Sequence, residues 1–198
     1  MLTLLPTVKT RLAIPTEDTS NDVILTNAIL AVSARFDHET HRTLARTENF
    51  TQEFDPSDSE ILSSCYPVEY VSKFELKTSE STGWQEIQLT PDFLIRSSCI
   101  ISLSQPLNPQ LSTLNSLARL IYTGGYLLPD SPDTPGATRL PVDLEQAAVE
   151  QVAYWFQTRD HLGLKTTWPH EGTYAQFAQL PLILPVQAVL KRYERWSF

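Results

Sequence analysis

The chain has 198 residues, 41% of them hydrophobic and 19% charged, with a net charge of −8 and a pI near 4.9. That length fits one domain, or one domain with a large insertion, and the composition is that of a folded protein. The acidic balance excludes a protein that grips nucleic acid through a basic stripe, but not one that DNA merely passes.

At the N-terminus, Leu2, Leu4 and Leu5 are followed at once by Pro6, Lys9 and Arg11. That is no signal peptide, and no run of about 18 apolar residues predicts a membrane span. The expectation is a protein that stays in the cytoplasm where it is made. Pro6 suits the first turn of a short helix running to Leu12, with Leu5, Val8 and Leu12 on one face. Pro15 disfavours helix at Ile14 and stops it. Thr19-x-x-Asp22 reads as a capping-box variant opening a second helix. Behind it, Leu25, Ile29, Val32 and Phe36 recur at core-facing spacing, with Ile24, Ala28 and Ala31 widening the stripe towards Arg42.

From Phe50 to Tyr122 the pattern changes to short runs of period two. Strands are expected at Cys65–Val68, Tyr70–Leu76, Gln85–Leu89, Phe93–Ile95, Ile100–Leu103 and Leu117–Tyr122. Strands that follow strands with no helix between them imply antiparallel pairing. Gly124-Gly125 ends the last strand, where a positive φ costs little. Residues 129–141 are an extended Pro-rich loop or linker. Helix returns at Pro141, with Asp143 and Glu145 in its first turn and Leu144, Ala148, Val152 and Trp155 or Phe156 on its apolar face. Arg159 and His161 lie near its end and Gly163 is its stop. Residues 164–184 read as loop. A last helix from Pro185 presents Val186, Val189, Leu190 and Tyr193.

No catalytic constellation emerges. His38-Glu39-Thr40-His41 lacks the order of a zinc motif and a third ligand. Tyr122-Thr123-Gly124-Gly125-Tyr126 has no following Lys and opens no helix, so it fails as a phosphate loop. There is no G-x-S-x-G elbow. Cys65 and Cys99 read as small buried hydrophobes, and whether they pair stays open. No cofactor and no metal are expected.

The charge is uneven. Residues 48–60 hold Glu48, Glu53, Asp55, Asp58 and Glu60 without a base, whereas the last dozen hold Lys191, Arg192 and Arg195 against Glu194. Arg192, Arg195, Trp196 and Phe198 leave Arg and aromatic residues at the free end, the types that carry interface energy. Solvated loops and a helix end are the plainer reading of both segments.

Three groups of residues carry a resemblance. One is an apolar residue, Lys9 and Arg11-Leu12, followed by an Asp-rich gap and an apolar helix. A second is Tyr66-Pro67-Val68 with Val71. The third is Tyr122, Gly125-Tyr126 and a Pro-rich gap, then Pro141-x-x-Leu144-x-x-Ala147. In this order they resemble the head–tail connector (adaptor, or head-completion) proteins of long-tailed bacteriophages and gene transfer agents, over residues 5–126 and 140–195. The resemblance implies an α+β fold: a helical bundle from both termini with an inserted antiparallel β region. It implies a single connector domain over 1–198, with a helical core in 1–47 and 140–198, a β insertion at 48–128 and a Pro-rich linker at 129–140. It further implies a structural virion neck protein, not an enzyme. Such a protein forms a homo-oligomeric ring, usually a dodecamer, beneath the portal protein. The ring meets a stopper or tail-terminator protein and extends the DNA channel without binding DNA tightly. On that reading Arg192 to Phe198 contact the portal and Glu48 to Glu60 face the lumen or the next ring. A small hydrolase or nuclease and a DNA-packaging accessory are the rival readings. Residues 160–184 match no part of the pattern.

Overall fold

A computed structural model describes residues 1–87, 92–105, 107, 116–159 and 182–195. Among the described residues there are four helices and seven strands, an α+β fold with antiparallel sheets. The chain divides into two compact units: Met1–Thr40 with Leu140–Glu194, and His41–Arg139 with Arg195–Phe198.

The first unit is helical: α1 (Leu5–Arg11), α2 (Asp22–Thr40), α3 (Val142–Gln157) and α4 (Leu184–Leu190). Packing runs from α2 to α3, from α3 to α4, and from α1 to both α2 and α3. Its interior is built from Val8, Leu25, Ile29, Val32, Phe36, Leu144, Ala148, Val152, Val186 and Leu190, all under 5% exposed. The anticipated stripes of α2 and α3 therefore form, with two differences. Ile24 is half exposed and Ala31 is exposed, so the buried stripe of α2 is narrower than expected. On α4, Val189 is only half-buried, and Val186 fills the interior in its place.

Local chemistry explains the helix ends. α1 closes through Ala13, at φ 56. Ala13 N–H donates to the Thr10 carbonyl at 3.1 Å and Ile14 N–H to the Lys9 carbonyl at 2.9 Å. This is a left-handed helix stop with a non-glycine residue in the glycine position. The stop therefore precedes Pro15. The expected capping box does not form, because α2 begins at Asp22 itself. The Asp22 carboxylate instead accepts from Lys9 Nζ at 2.8 Å, and the turn before it is held by Asp18 and Ser20.

The second unit holds two sheets. β1 (Thr47–Phe54), β7 (Leu117–Gly124), β3 (Val68–Lys77) and β4 (Gln85–Glu86) form one, in that spatial order; β2 (Glu60–Leu62), β6 (Ile100–Leu103) and β5 (Phe93–Arg96) form the other. All pairs are antiparallel. The sheets share one core of Ile61, Cys65, Val68, Phe74, Ile101, Leu103, Leu120 and Tyr122, with Phe50, Phe54 and Phe93 against it. β1 and β2 occupy the acidic segment, within the expected β insertion but where no individual strand was assigned. β1 is an edge strand with a bulge between Thr47 and Phe50, around Asn49 at φ 53. The Cys65–Val68 run becomes strand only at Val68; Cys65 forms an isolated bridge with Thr43, and the Tyr66–Pro67 peptide is cis. The two cysteines are not joined in a disulfide; Cys65 is buried, its Sγ 3.1 Å from the Gly124 carbonyl oxygen, and Cys99 is half-buried.

Gly124 and Gly125 are fixed by close approach. A Cβ on Gly124 would sit 2.5 Å from the Cys65 carbonyl oxygen, and one on Gly125 2.5 Å from that of Ala45. Only Gly125 has a positive φ, at 99°. The expected strand residues Gln88 and Leu89, the helix end at His161 and Gly163, and most of the 164–184 loop lie outside the described residues.

Candidate functional site

The acidic segment is a surface feature of the β unit. Glu48, Glu53, Asp55, Asp58 and Glu60 are all exposed. β1 carries Glu48 and Glu53, the turn after it Asp55 and Asp58, and β2 Glu60. Two of the five meet bases from outside the segment: Glu48 pairs with Arg46 at 2.8 Å and Glu60 with Arg96 at 2.7 Å. Asp55 accepts from Ser57 Oγ at 2.5 Å and from Ser57 N–H at 2.8 Å. Those bonds hold its carboxyl below the ordinary carboxylate range. Glu53 and Asp58 complete a carboxylate-rich strip.

The C-terminal residues separate by environment. Arg192 has an exposed guanidinium whose Nη2 lies 3.4 Å from Asp143 Oδ2. Asp143 Oδ1 accepts from the Tyr193 hydroxyl at 2.7 Å. Arg195 is half-buried in the β unit and its Nη2 donates to the Leu62 carbonyl at 2.7 Å. Trp196 and Phe198 lie outside the described residues.

Beneath the acidic strip lies a polar hub that the sequence did not single out. The fully buried Tyr122 hydroxyl accepts from the N–H groups of Ser64 at 3.0 Å and Cys65 at 2.9 Å, and donates to Gln52 Oε1 at 3.0 Å. Gln52 Nε2 donates to the Leu62 carbonyl at 2.8 Å, the oxygen that Arg195 also uses. Burial pushes the Tyr122 phenol up to about 12. Further along β7, Arg119 pairs with Glu75 and stacks 4.3 Å over the Trp84 ring. Lys73 Nζ lies 2.7 Å from the same carboxylate. Burial raises Glu75, but the bonds from Lys73 and Arg119 outweigh it and hold the carboxyl below its ordinary value. Arg42 is buried with its guanidinium carbon 3.2 Å from the Tyr66 ring centroid and 5.2 Å from that of Tyr126. Tyr122 with Gln52, and Glu75 with Lys73 and Arg119, tie neighbouring strands together, whereas the buried Arg42 Nε has no hydrogen-bond partner.

The helical unit contributes two apolar surface features. α2 exposes Val23, Ile24 and Leu30 by half or more. A groove of about 360 Å³ between α3 and α4 has a floor that includes Ala147, Val186 and Val189, with Asp143 and Glu150 at its rim. The sequence counted Ile24 and Val189 as core; burial alone separates them from it. Among the described residues no three His, Cys, Asp or Glu side chains gather as a metal set, and no helix is long and apolar enough to cross a membrane.

The whole fold has counterparts among solved structures. A chain in the neck of an empty gene transfer agent particle, computed with C6 symmetry, superposes with a TM-score of 0.59 at 16% identity, covering 98% of this chain and 89% of that one. A chain in the neck of the native particle, computed with C12 symmetry, gives 0.54 at 17% identity over 98% and 90%. A chain of the native gene transfer agent virion gives 0.53 at 16% identity over 93% and 84%. These identities establish a shared fold. No family model and no curated protein matches the sequence.

Proposed function

We propose that this protein is a structural subunit of a virion neck. It forms a ring beneath the portal, joins the capsid to the stopper or tail, and extends the DNA channel. The observation that carries this reading is the fold shared, over 93–98% of the chain, with chains of gene transfer agent necks and virions. The ring is a dodecamer of single connector domains, each with a helical core in 1–47 and 140–198, a β insertion at 48–128 and a linker at 129–140. The internal pairing of its polar groups supports a mechanical role: Glu75 is held by Lys73 and Arg119, and the hub around Tyr122 closes on Gln52, Ser64 and Cys65.

The surface charge supports the channel. Twelve copies at −8 each place about −96 around one pore, before counter-ions. The strip from Glu48 to Glu60 lines the lumen or meets the next ring, where carboxylates give DNA phosphates no counter-ions to release. The C-terminal end, Arg192 to Phe198, meets the portal. Arg192 supports this with a guanidinium side chain 65% exposed. The protein is made in the host cytoplasm and resides in the virion.

The test removes the gene from the producing cell. Filled heads that lack tails, with antibody against the protein labelling the necks of normal particles, are expected. Normal tailed particles without the protein overturn the reading.

A further inference from the structure

Two arginines of this chain meet a carboxylate in the same way. Arg11 donates through Nε and Nη2 to the two carboxylate oxygens of Glu150, both at 2.9 Å. Arg46 holds Glu69 through the same edge, at 2.8 and 3.0 Å. That edge carries two parallel N–H bonds and fits two oxygens of one anion. Arg195 fills only half of it. Its Nη2 donates to the Leu62 carbonyl at 2.7 Å, while Nε is buried and has no hydrogen-bond partner. A carbonyl offers one oxygen and no formal charge, and among the described residues no carboxylate pairs with Arg195. The seat therefore leaves a buried donor and a cation without compensation. Arg42 has the same half-filled edge, but at 4% exposure it is closed to an incoming group. Arg195 is only half-buried.

The Leu62 carbonyl does not depend on Arg195. Gln52 Nε2 donates to the same oxygen at 2.8 Å. Gln52 is fixed in turn through its Oε1, which accepts from Ser64 N–H at 2.8 Å and from the Tyr122 hydroxyl at 3.0 Å. Arg195 can withdraw and leave no buried acceptor without a donor. We infer that Arg195 is an exchangeable contact: it rests on Leu62 in the free subunit, and on docking it gives Nε and Nη2 to the two oxygens of one portal carboxylate. The inference rests on the portal contact proposed above for the C-terminal end, and adds the residue and the chemistry that make it. The exchange supplies Nε with its missing acceptor and the guanidinium with its counter-charge, while Gln52 keeps β2 in place.

Heads from a cell that lacks this gene carry portal without this protein, and purified full chain is titrated onto them. Arg195→Ala and Arg195→Lys should both keep the wild-type denaturant midpoint and the wild-type hydrogen exchange at Ser64 and Cys65. Both should bind the heads about tenfold more weakly or worse, because lysine has the charge but not the two-bond edge. Wild-type affinity in the lysine variant would show that charge alone suffices, and overturns the inference. Wild-type affinity in the alanine variant overturns it as well, and leaves the connector reading standing. A lowered midpoint, faster exchange at Ser64 and Cys65, or a variant that does not fold would make Arg195 a strut of the Tyr122 hub and sink the exchange. Unmodified chain that does not bind these heads overturns the connector reading, and this contact with it.

Discussion

Lys9 carries its ammonium into the helical unit with 3% of the residue exposed. There it donates to the Thr16 carbonyl at 2.9 Å and to Asp22 at 2.8 Å. A buried charge is tolerable only while its partner remains, so the two halves of this pair respond differently to substitution. Asp22→Ala should cost about 3 kcal/mol in urea unfolding, whereas Lys9→Met should stay within about 1 kcal/mol. Equal losses would mean that the pair is not desolvated. Tyr122 sets a second test at this scale. Its phenol is pushed up to about 12 in the folded chain, against about 10 when unfolded. A raised folded value means that the unfolded chain sheds its proton first. The stability due to this group is complete below pH 10 and is lost as pH rises through 12. Tyr122→Phe should cost about 1–3 kcal/mol at pH 7, because the Ser64 and Cys65 amides lose an acceptor. It should also flatten the alkaline fall in stability between pH 10 and 12. An unchanged alkaline slope would show that Tyr122 is not buried as a neutral donor.

Among the elements, α1 ends under backbone strain that the sequence position does not require. Ala13 is exposed and holds φ 56 in a helix stop suited to glycine. Ala13→Gly should therefore raise stability by about 1 kcal/mol, measured by the denaturant midpoint. A loss would mean that the stop is set elsewhere. α4 separates its two apolar faces: Leu190 is 4% exposed and Val189 half-buried. Leu190→Ala should cost about 2–5 kcal/mol; Val189→Ala should cost clearly less, because a groove wall loses little on truncation. In the β unit, Gly124→Ala places a Cβ against the Cys65 carbonyl. Backbone cannot give way there as a flexible side chain would, so the end of β7 should loosen, with a loss of at least about 2 kcal/mol. Hydrogen exchange at Cys65 and Gly125 would show where the opening occurs.

For the molecule as a whole, the connector reading makes DNA a passenger. The isolated chain at −8 should bind duplex DNA weakly at physiological salt, with little dependence on salt. Tight, steeply salt-dependent binding would favour a packaging accessory. Deleting residues 196–198 tests the portal contact without touching Arg195 or its bond to Leu62. The truncated chain should fold normally and fail to join portal-bearing heads. Tail-competent particles from that variant would move the contact elsewhere, and an unfolded product would assign the tip to the core.

Short-range periodicity was enough to place the local elements. Leu25, Ile29, Val32 and Phe36 mark a helix face because a helix repeats every 3.6 residues; Tyr70 to Leu76 mark a strand because side chains alternate. Antiparallel pairing followed from strands that succeed one another without helices, while the α+β arrangement came with the connector resemblance. The residues that carried the connector resemblance also proved to be joints: Lys9 reaches Asp22, Arg11 clamps Glu150 through two bonds of 2.9 Å, and Tyr122 anchors Ser64 and Cys65. Their partners lie 13 to 139 residues away, which no local pattern reveals. β1 escaped notice because its inward face carries the polar Gln52 between Phe50 and Phe54, so polarity masked the period. Ile24 and Val189 were read as core, because apolar residues on a helix look alike until something packs on one face and not the other. The tertiary structure decided which face was covered, and it left α2 with an apolar stripe turned outward and a groove between α3 and α4.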